Sequence, residues 1–176
     1  AQVDSSVGGK VAVNLSAGKN LVGAFHQPSL VVADVQTMKS LPSRQMRAGL
    51  AEVVKYGMIA DRELFAYVET HLDSILRAEE EPLTHLVTRS CAIKADVVEQ
   101  DEREEGMRAI LNFGHTVGHA LEATTGYQRL LHGEAIAIGM VVATMLAMNR
   151  GLCEHEDLNR LRTLLARIGL PTRTSV

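Results

Sequence analysis

The sequence predicts a mainly α chain, a helical domain preceded by a β-hairpin and one further strand. Three observations carry this. Before Pro42 the apolar residues fall in short runs separated by Gly and Asn, and after it they recur at helical spacing. Gly or Pro marks the interruptions of that spacing, at Pro82, Gly106, Gly126, Gly151 and Gly169. Apolar residues make up 46% of the chain but aromatics only 3%, with no Trp. Such a core is built from Leu, Val, Ile, Ala and Met, which suits helices packed closely on helices.

Taken in order, Val11-Ala12-Val13 and Leu21-Val22-Gly23, punctuated by Gly8-Gly9, Asn14, Gly18 and Asn20, read as a hairpin. Leu30 to Val35 is a β-branched apolar run and reads as a buried strand. Helices are predicted at 43–59, 61–77, 82–104, 111–125, 133–150 and 155–168. Ala135 to Met148 is apolar apart from Gly139 and Thr144; at 14 residues it is too short to span a bilayer and reads as a core helix. The charge run Glu99 to Glu105 reads as a solvated helix end.

A length of 176 residues is one domain, or one domain and the edge of another. The formal net charge of −3 offers no basic footprint for nucleic acid and no polybasic membrane surface. Cys91 and Cys153 form no C-x-x-C pair and no disulfide framework, which points to a reducing, cytosolic compartment. Residues 1–25 hold no signal-peptide core. The chain opens without Met on a Gly-rich turn and ends soon after Gly169-Leu170-Pro171, so the expectation is a fragment of a larger enzyme.

Polar residues stand where a core belongs. In the helix predicted at 111–125, Asn112, His115, His119 and Glu122 share one stripe at about 100° per residue, and Arg108 would extend it. A wet helix side would explain the stripe. Gly114 and Gly118 argue otherwise, because each Gly costs an exposed helix about 1 kcal/mol and here would admit a close backbone or ligand. Two His at i and i+4 suit a metal or a substrate, and the absence of H-E-x-x-H excludes the metalloprotease pattern. The helix at 43–59 is apolar nearly all round yet contains Glu52 and Lys55. An i, i+3 ion pair is the plain reading, but burial makes unpaired charge costly, and a metal facing Glu52 would relieve it. His132 before Gly133-Glu134 would complete a His₂-carboxylate set, a pattern that leaves catalytic zinc an open position. Lys94 lies on the apolar seam Val87, Cys91, Val98, where periodicity favours snorkelling to solvent. Asp4 and Gly8-Gly9-Lys10 do not form a Walker A loop, since Val11 follows the Lys; a phosphate-holding turn and a plain hairpin turn are equally consistent with them. His26, His71, His85 and His155 join no constellation.

Five segments together resemble the 3-dehydroquinate synthase family, in its order and over nearly the whole chain. They are Asp4 to Lys10, Gly18-Lys19-Asn20, Gly49 to Gly57, Leu111 to Ala120, and His132-Gly133-Glu134. The resemblance implies NAD⁺ and a divalent metal, Zn²⁺ or Co²⁺, as cofactors. It implies conversion of 3-deoxy-arabino-heptulosonate 7-phosphate, a phosphorylated keto acid, to 3-dehydroquinate and phosphate in the shikimate pathway. A hydroxyl is oxidised transiently, phosphate is eliminated, the ketone is reduced and the ring recloses as a carbocycle. Cytoplasmic homodimers are implied for full-length members.

By matching position, Glu52, His115 and His132 resemble the metal ligands. Lys10, Asn20 and His119 resemble contacts to the phosphate end, with His119, Lys55 and Lys10 in catalytic positions. Asp4, Lys55, Lys94, Arg108 and Asn112 resemble the remaining substrate contacts, Lys94 and Arg108 towards a carboxylate; for Lys94 the resemblance reverses the periodicity reading. Lys19 and Ser40 stand where the family touches NAD. The implied domains are residues 1–38, the end of an α/β nucleotide-binding domain that would supply hairpin and strand, and 39–176, a helical metal- and substrate-binding domain truncated at its C-terminus. Val11 and Ser40 depart from the Thr usual at their positions. The rival readings are another sugar-phosphate cyclase, such as 2-deoxy-scyllo-inosose synthase, and a non-catalytic helical metal-binding module, which would need a fourth protein ligand.

Overall fold

The helical texture after Pro42 is realised as six α-helices in a computed structural model that describes residues 1–15 and 18–174. The side chains of Asn14, Lys19 and Asn20 lie outside the described residues. Strands β1 (Lys10–Leu15) and β2 (Gly18–Phe25) pair antiparallel in one two-stranded ribbon, with Lys10 opposite Phe25 and Val13 opposite Val22. The helices are α1 (Ser43–Ile59), α2 (Arg62–Leu76), α3 (Glu80–Gln100), α4 (His115–Thr124), α5 (His132–Asn149) and α6 (His155–Ile168). Short 3₁₀ segments, Val35–Ser40 and Met107–Asn112, lead into α1 and α4.

Local chemistry sets several boundaries. Pro42 immediately precedes α1. The Asp61 carboxylate accepts from the Leu64 N–H at 2.9 Å and so caps α2. Pro82, read as the start of a helix, sits in the first turn of α3, where an amide hydrogen has no intrahelical partner to lose. Gly169, with φ 86°, ends α6, and Leu170 folds back into the core.

Helix α1 is central, packing on α2 and α5, while α5 also contacts α4 and α6. Ala51, Val54 and Tyr56 of α1 meet Ile136, Ala137 and Met140 of α5 and Leu161 and Leu165 of α6 in one core. Helix α5 is, by length and composition, long and apolar enough to cross a membrane. Half of that span is buried inside the chain, which is the behaviour of the core helix the sequence predicted.

Three expectations are corrected. Leu30 to Val35 forms no strand: Leu30 and Val32 are 78% and 80% exposed, and no described strand lies beside them to complete a ladder. The helix expected at 111–125 is interrupted. Asn112 ends a 3₁₀ segment, Gly114 turns the chain with φ 81°, and α4 begins only at His115. The charge run after Gln100 is not a helix end, because Asp101 leaves the helix and accepts from the N–H groups of Glu105, Gly106 and Arg108.

Candidate active site

Helix α1 projects Glu52 into the interior, 6% exposed. One carboxylate oxygen, Oε2, lies 2.6 Å from Lys55 Nζ, an ion pair one turn along the helix. The other, Oε1, lies 3.2 Å from His132 Nε2 and 3.8 Å from His115 Nε2. The division is chemical: one oxygen meets a fixed ammonium, and the other meets two imidazoles. Donors held about 2.0–2.1 Å from a tetrahedral zinc stand about 3.3 Å apart, so the carboxylate–imidazole distances fit one small divalent ion. The donor set, two nitrogens and one oxygen from three helices, suits zinc or cobalt and leaves a position open. Each imidazole is also held from behind, His115 Nδ1 by the Phe113 carbonyl oxygen and His132 Nδ1 by Glu122 Oε2, both at 3.2 Å. Both acceptors suit a proton on Nδ1, which with an ion bound would leave the Nε2 lone pair free to ligate it.

The electrostatics divide the two imidazoles. Burial alone would raise the Glu52 pKa, but the His132 hydrogen bond and the Lys55 charge outweigh it and hold the group well below the usual carboxylate range. Burial lowers the His115 pKa against the pull of Glu52, favouring the neutral ring a metal needs. The hydrogen bond to Glu52 raises that of His132, so this ring takes up a proton more readily and must give it up to serve as a ligand.

A second cluster adjoins the first through Lys55. Asp4 sits 3.1 Å from Lys94 Nζ and 3.7 Å from Lys55 Nζ, and it accepts the Tyr56 hydroxyl. Lys94 also donates to the Asp4 carbonyl oxygen at 2.7 Å. The periodicity reading of Lys94 is therefore corrected: it is buried rather than snorkelling, and burial lowers its pKa while Asp4 opposes the shift. Arg108, 2% exposed, donates to the carbonyl oxygens of Gly8 and Glu102. A methyl group added at Gly8 would touch both Arg108 Nη2 and the Lys94 Cε atom, so the two cations border one spot.

In a third cluster Glu104 holds Lys10 of β1 and accepts from Asn112 Nδ2 at 2.9 Å. His119 lies exposed at the edge of the metal set, its ring 5.3 Å from that of His115 and 5.9 Å from that of His132. A cavity of about 600 Å³ opens beside Glu52 and His132 and is lined by Asp4, Thr37, Met38 and Leu41 among others. Ser40 is exposed, bonds the Thr37 carbonyl oxygen and does not line it. The Lys19 and Asn20 side chains fall outside the described residues.

Residues 49–176 match the family described as 3-dehydroquinate synthase C-terminal, and residues 1–48 its N-terminal counterpart. The chain belongs to the 3-dehydroquinate synthase family. It is 55% identical to the 3-dehydroquinate synthase of Thermoanaerobacter pseudethanolicus over 98% of its own length and 48% of that protein's. With the 3-dehydroquinate synthase of Caldanaerobacter subterraneus it shares 58% identity over 97% of this chain and 48% of the relative. The chain thus spans about half the length of the curated relatives it matches. Among solved structures it resembles 2-epi-5-epi-valiolone synthase from Streptomyces hygroscopicus, with NAD⁺ and Zn²⁺ bound, at TM-score 0.90 and 30% identity over 99% of this chain and 49% of that one. It also resembles 2-deoxy-scyllo-inosose synthase complexed with carbaglucose-6-phosphate, NAD⁺ and Co²⁺, at TM-score 0.88 and 34% identity, over 99% and 47%.

Two residues of this 3-dehydroquinate synthase family chain escaped the sequence reading. Glu104 was absorbed into a solvated charge run, although the Asp101 to Gly106 turn that directs it is a local signal. Glu122 was placed on the histidine stripe without a role, and it is the buried partner of His132.

Proposed function

We propose that the chain is the metal- and substrate-binding part of a 3-dehydroquinate synthase, which converts 3-deoxy-arabino-heptulosonate 7-phosphate to 3-dehydroquinate and phosphate with NAD⁺ and a divalent metal. The observation that carries it is the convergence of His115 and His132 on one oxygen of buried Glu52, beside a row of buried cations. Glu52, His115 and His132 would hold the ion. The chemistry supplied there is Lewis-acid polarisation of a substrate hydroxyl by the metal and hydride acceptance by NAD⁺. Lys55 fixes the free oxygen of Glu52 and carries positive charge towards Asp4.

Lys10, Asn20 and His119 take the phosphate end, and proton movement is assigned to His119, which is exposed at the edge of the metal set. Lys94 and Arg108 take the carboxylate end, while Asp4, Lys55 and Asn112 complete the substrate contacts. This row of cations supports an anionic substrate with charge at both ends. Lys19 and Ser40 are assigned to NAD. Residues 1–38 would close a nucleotide-binding domain and residues 39–176 would form the helical one, within a cytoplasmic homodimer.

The solved neighbours favour a second reading, another sugar-phosphate cyclase. The curated relatives at 55–58% identity support the first, as does a cation row that a carboxylate-free sugar would not need. Assay of the full-length protein with heptulosonate phosphate and with glucose 6-phosphate decides between them. Turnover of glucose 6-phosphate alone would replace our reading with the second.

A further inference from the structure

Two groups of side chains in this chain could each hold a metal ion, and they share His132. One is Glu52, His115 and His132; the other is His119, Glu122 and His132. A neutral imidazole has one lone pair and one N–H, so His132 can serve only one of them. Its Nε2 faces Glu52 Oε1 at 3.2 Å, towards His115, while its Nδ1 faces Glu122 Oε2 at the same distance.

The surroundings decide the division. The His132 side chain is 45% exposed, whereas that of His115 is 14% exposed. His132 is the first residue of α5. Glu122, 3% exposed, reaches it from α4. A buried carboxylate with an imidazole N–H against it keeps that ring from turning and raises the basicity of the opposite nitrogen.

Resting on the metal reading above, we propose that Glu122 is a positioning residue: it holds the proton on His132 Nδ1 and aims Nε2 at the ion, and it is not itself a ligand. The metal-bearing connection then runs Glu122–His132–ion–Glu52–Lys55, with a fixed charge at each end.

The test uses the full-length protein and its Glu122→Gln and Glu122→Ala variants. Zinc stoichiometry and Kd are measured by competition with a chromophoric chelator, and the visible spectrum is recorded with Co²⁺ in place of zinc. Both variants should still bind one ion per chain but about 10- to 100-fold more weakly. The Co²⁺ bands should shift in wavelength while keeping the intensity of the wild-type coordination number. Metal-free Glu122→Gln should melt within about a degree of the metal-free wild type, which separates positioning from a purely structural role.

Unchanged zinc Kd in both variants would overturn the proposal, as would a fall in affinity matched by collapse of the metal-free Glu122→Gln fold. Loss of stoichiometric zinc from folded Glu122→Gln would make Glu122 a ligand and also overturn it. If wild type binds no divalent ion at all, the metal reading itself fails, an outcome separate from these.

Discussion

The backbones of Gly114 and Gly139 touch so closely that a Cβ added to Gly139 would lie 1.9 Å from the Gly114 carbonyl oxygen. Gly114, at φ 81°, turns the chain into α4 one residue before His115. The space the sequence reserved for a close backbone or a ligand is therefore filled by α5.

Gly139→Ala should push α5 off that turn and cost about 1–3 kcal/mol, the range for overpacking a filled interior. It should also weaken zinc binding through His115. Gly49→Ala is the control: nothing lies within 4 Å of its Cβ position in α1, so it should be neutral or stabilising by up to about 1 kcal/mol. Denaturation midpoints of the two full-length variants check the pair, and equal effects would contradict the packing account.

His115 and His119 should separate by metal content. Only His115 Nε2 points at Glu52, at 3.8 Å. His115→Ala should yield metal-poor protein, because a three-ligand site has no spare. His119→Ala should keep close to one zinc per chain and lose turnover by roughly 10²–10⁴ if the ring moves a proton. Zinc content and kcat on both variants are the measurement; zinc loss from His119→Ala with retention in His115→Ala would reverse the assignment.

Much of this was legible in local sequence, and what was not is non-local. Helices α1 and α6 begin and end where predicted; Pro42 marks the start of α1, and Gly169 and Pro171 lie within three residues of the end of α6. The run at 30–35 has strand composition, but a strand exists only with a partner, which no run specifies. Gly114 was visible as a packing residue, yet whether it would also break the helix depended on α5, which it contacts. Lys94 shows the same limit. Periodicity tells which side chains share a face, not what covers it, and Asp4 comes from 90 residues away. Glu52, His115 and His132 could be nominated from residue type, while their convergence on one oxygen needed three helices in place.

Asp4 should prove a stability residue as much as a substrate contact. It is the carboxylate nearest the Lys94 ammonium and it accepts the Tyr56 hydroxyl. Asp4→Asn strands a buried cation and should cost about 3 kcal/mol, the lower end for breaking a buried pair because Asp4 is partly exposed. Lys94→Met in the same chain should recover part of that loss. A double-mutant cycle of denaturation midpoints measures the coupling, and strict additivity would argue against it.

Asp61 gives a pH-dependent prediction. Burial opposes its ionisation, but the Leu64 N–H and the Arg89 guanidinium outweigh burial, and its pKa falls below the ordinary Asp value. A depressed folded pKa contributes stability that is complete above the unfolded value, about 3.9, and that disappears as pH falls through the folded value. Asp61→Ala should therefore cost about 1–2 kcal/mol at pH 7, and the gap to wild type should narrow progressively below about pH 4. Urea titrations at pH 7 and pH 3 check this; a gap that widens in acid would show the sign to be wrong.

Helix α1 buries Glu52, Lys55 and an apolar surface that faces nearly every direction, and α5 is one of its two principal walls. During synthesis that wall arrives only after α2, α3 and α4 have been made. At about 5–20 residues per second, the delay lasts several seconds. Through that interval α1 is either an unfolded stretch or a sticky, incompletely covered helix, and it is the natural place for a chaperone to hold the nascent chain. Ribosome-bound chains stalled before His132 should be cut by protease within α1, whereas chains stalled well past Ile168 should resist. The helix that carries the charged heart of the site is thus the first of these six to be made, and one of its two principal walls is the fifth.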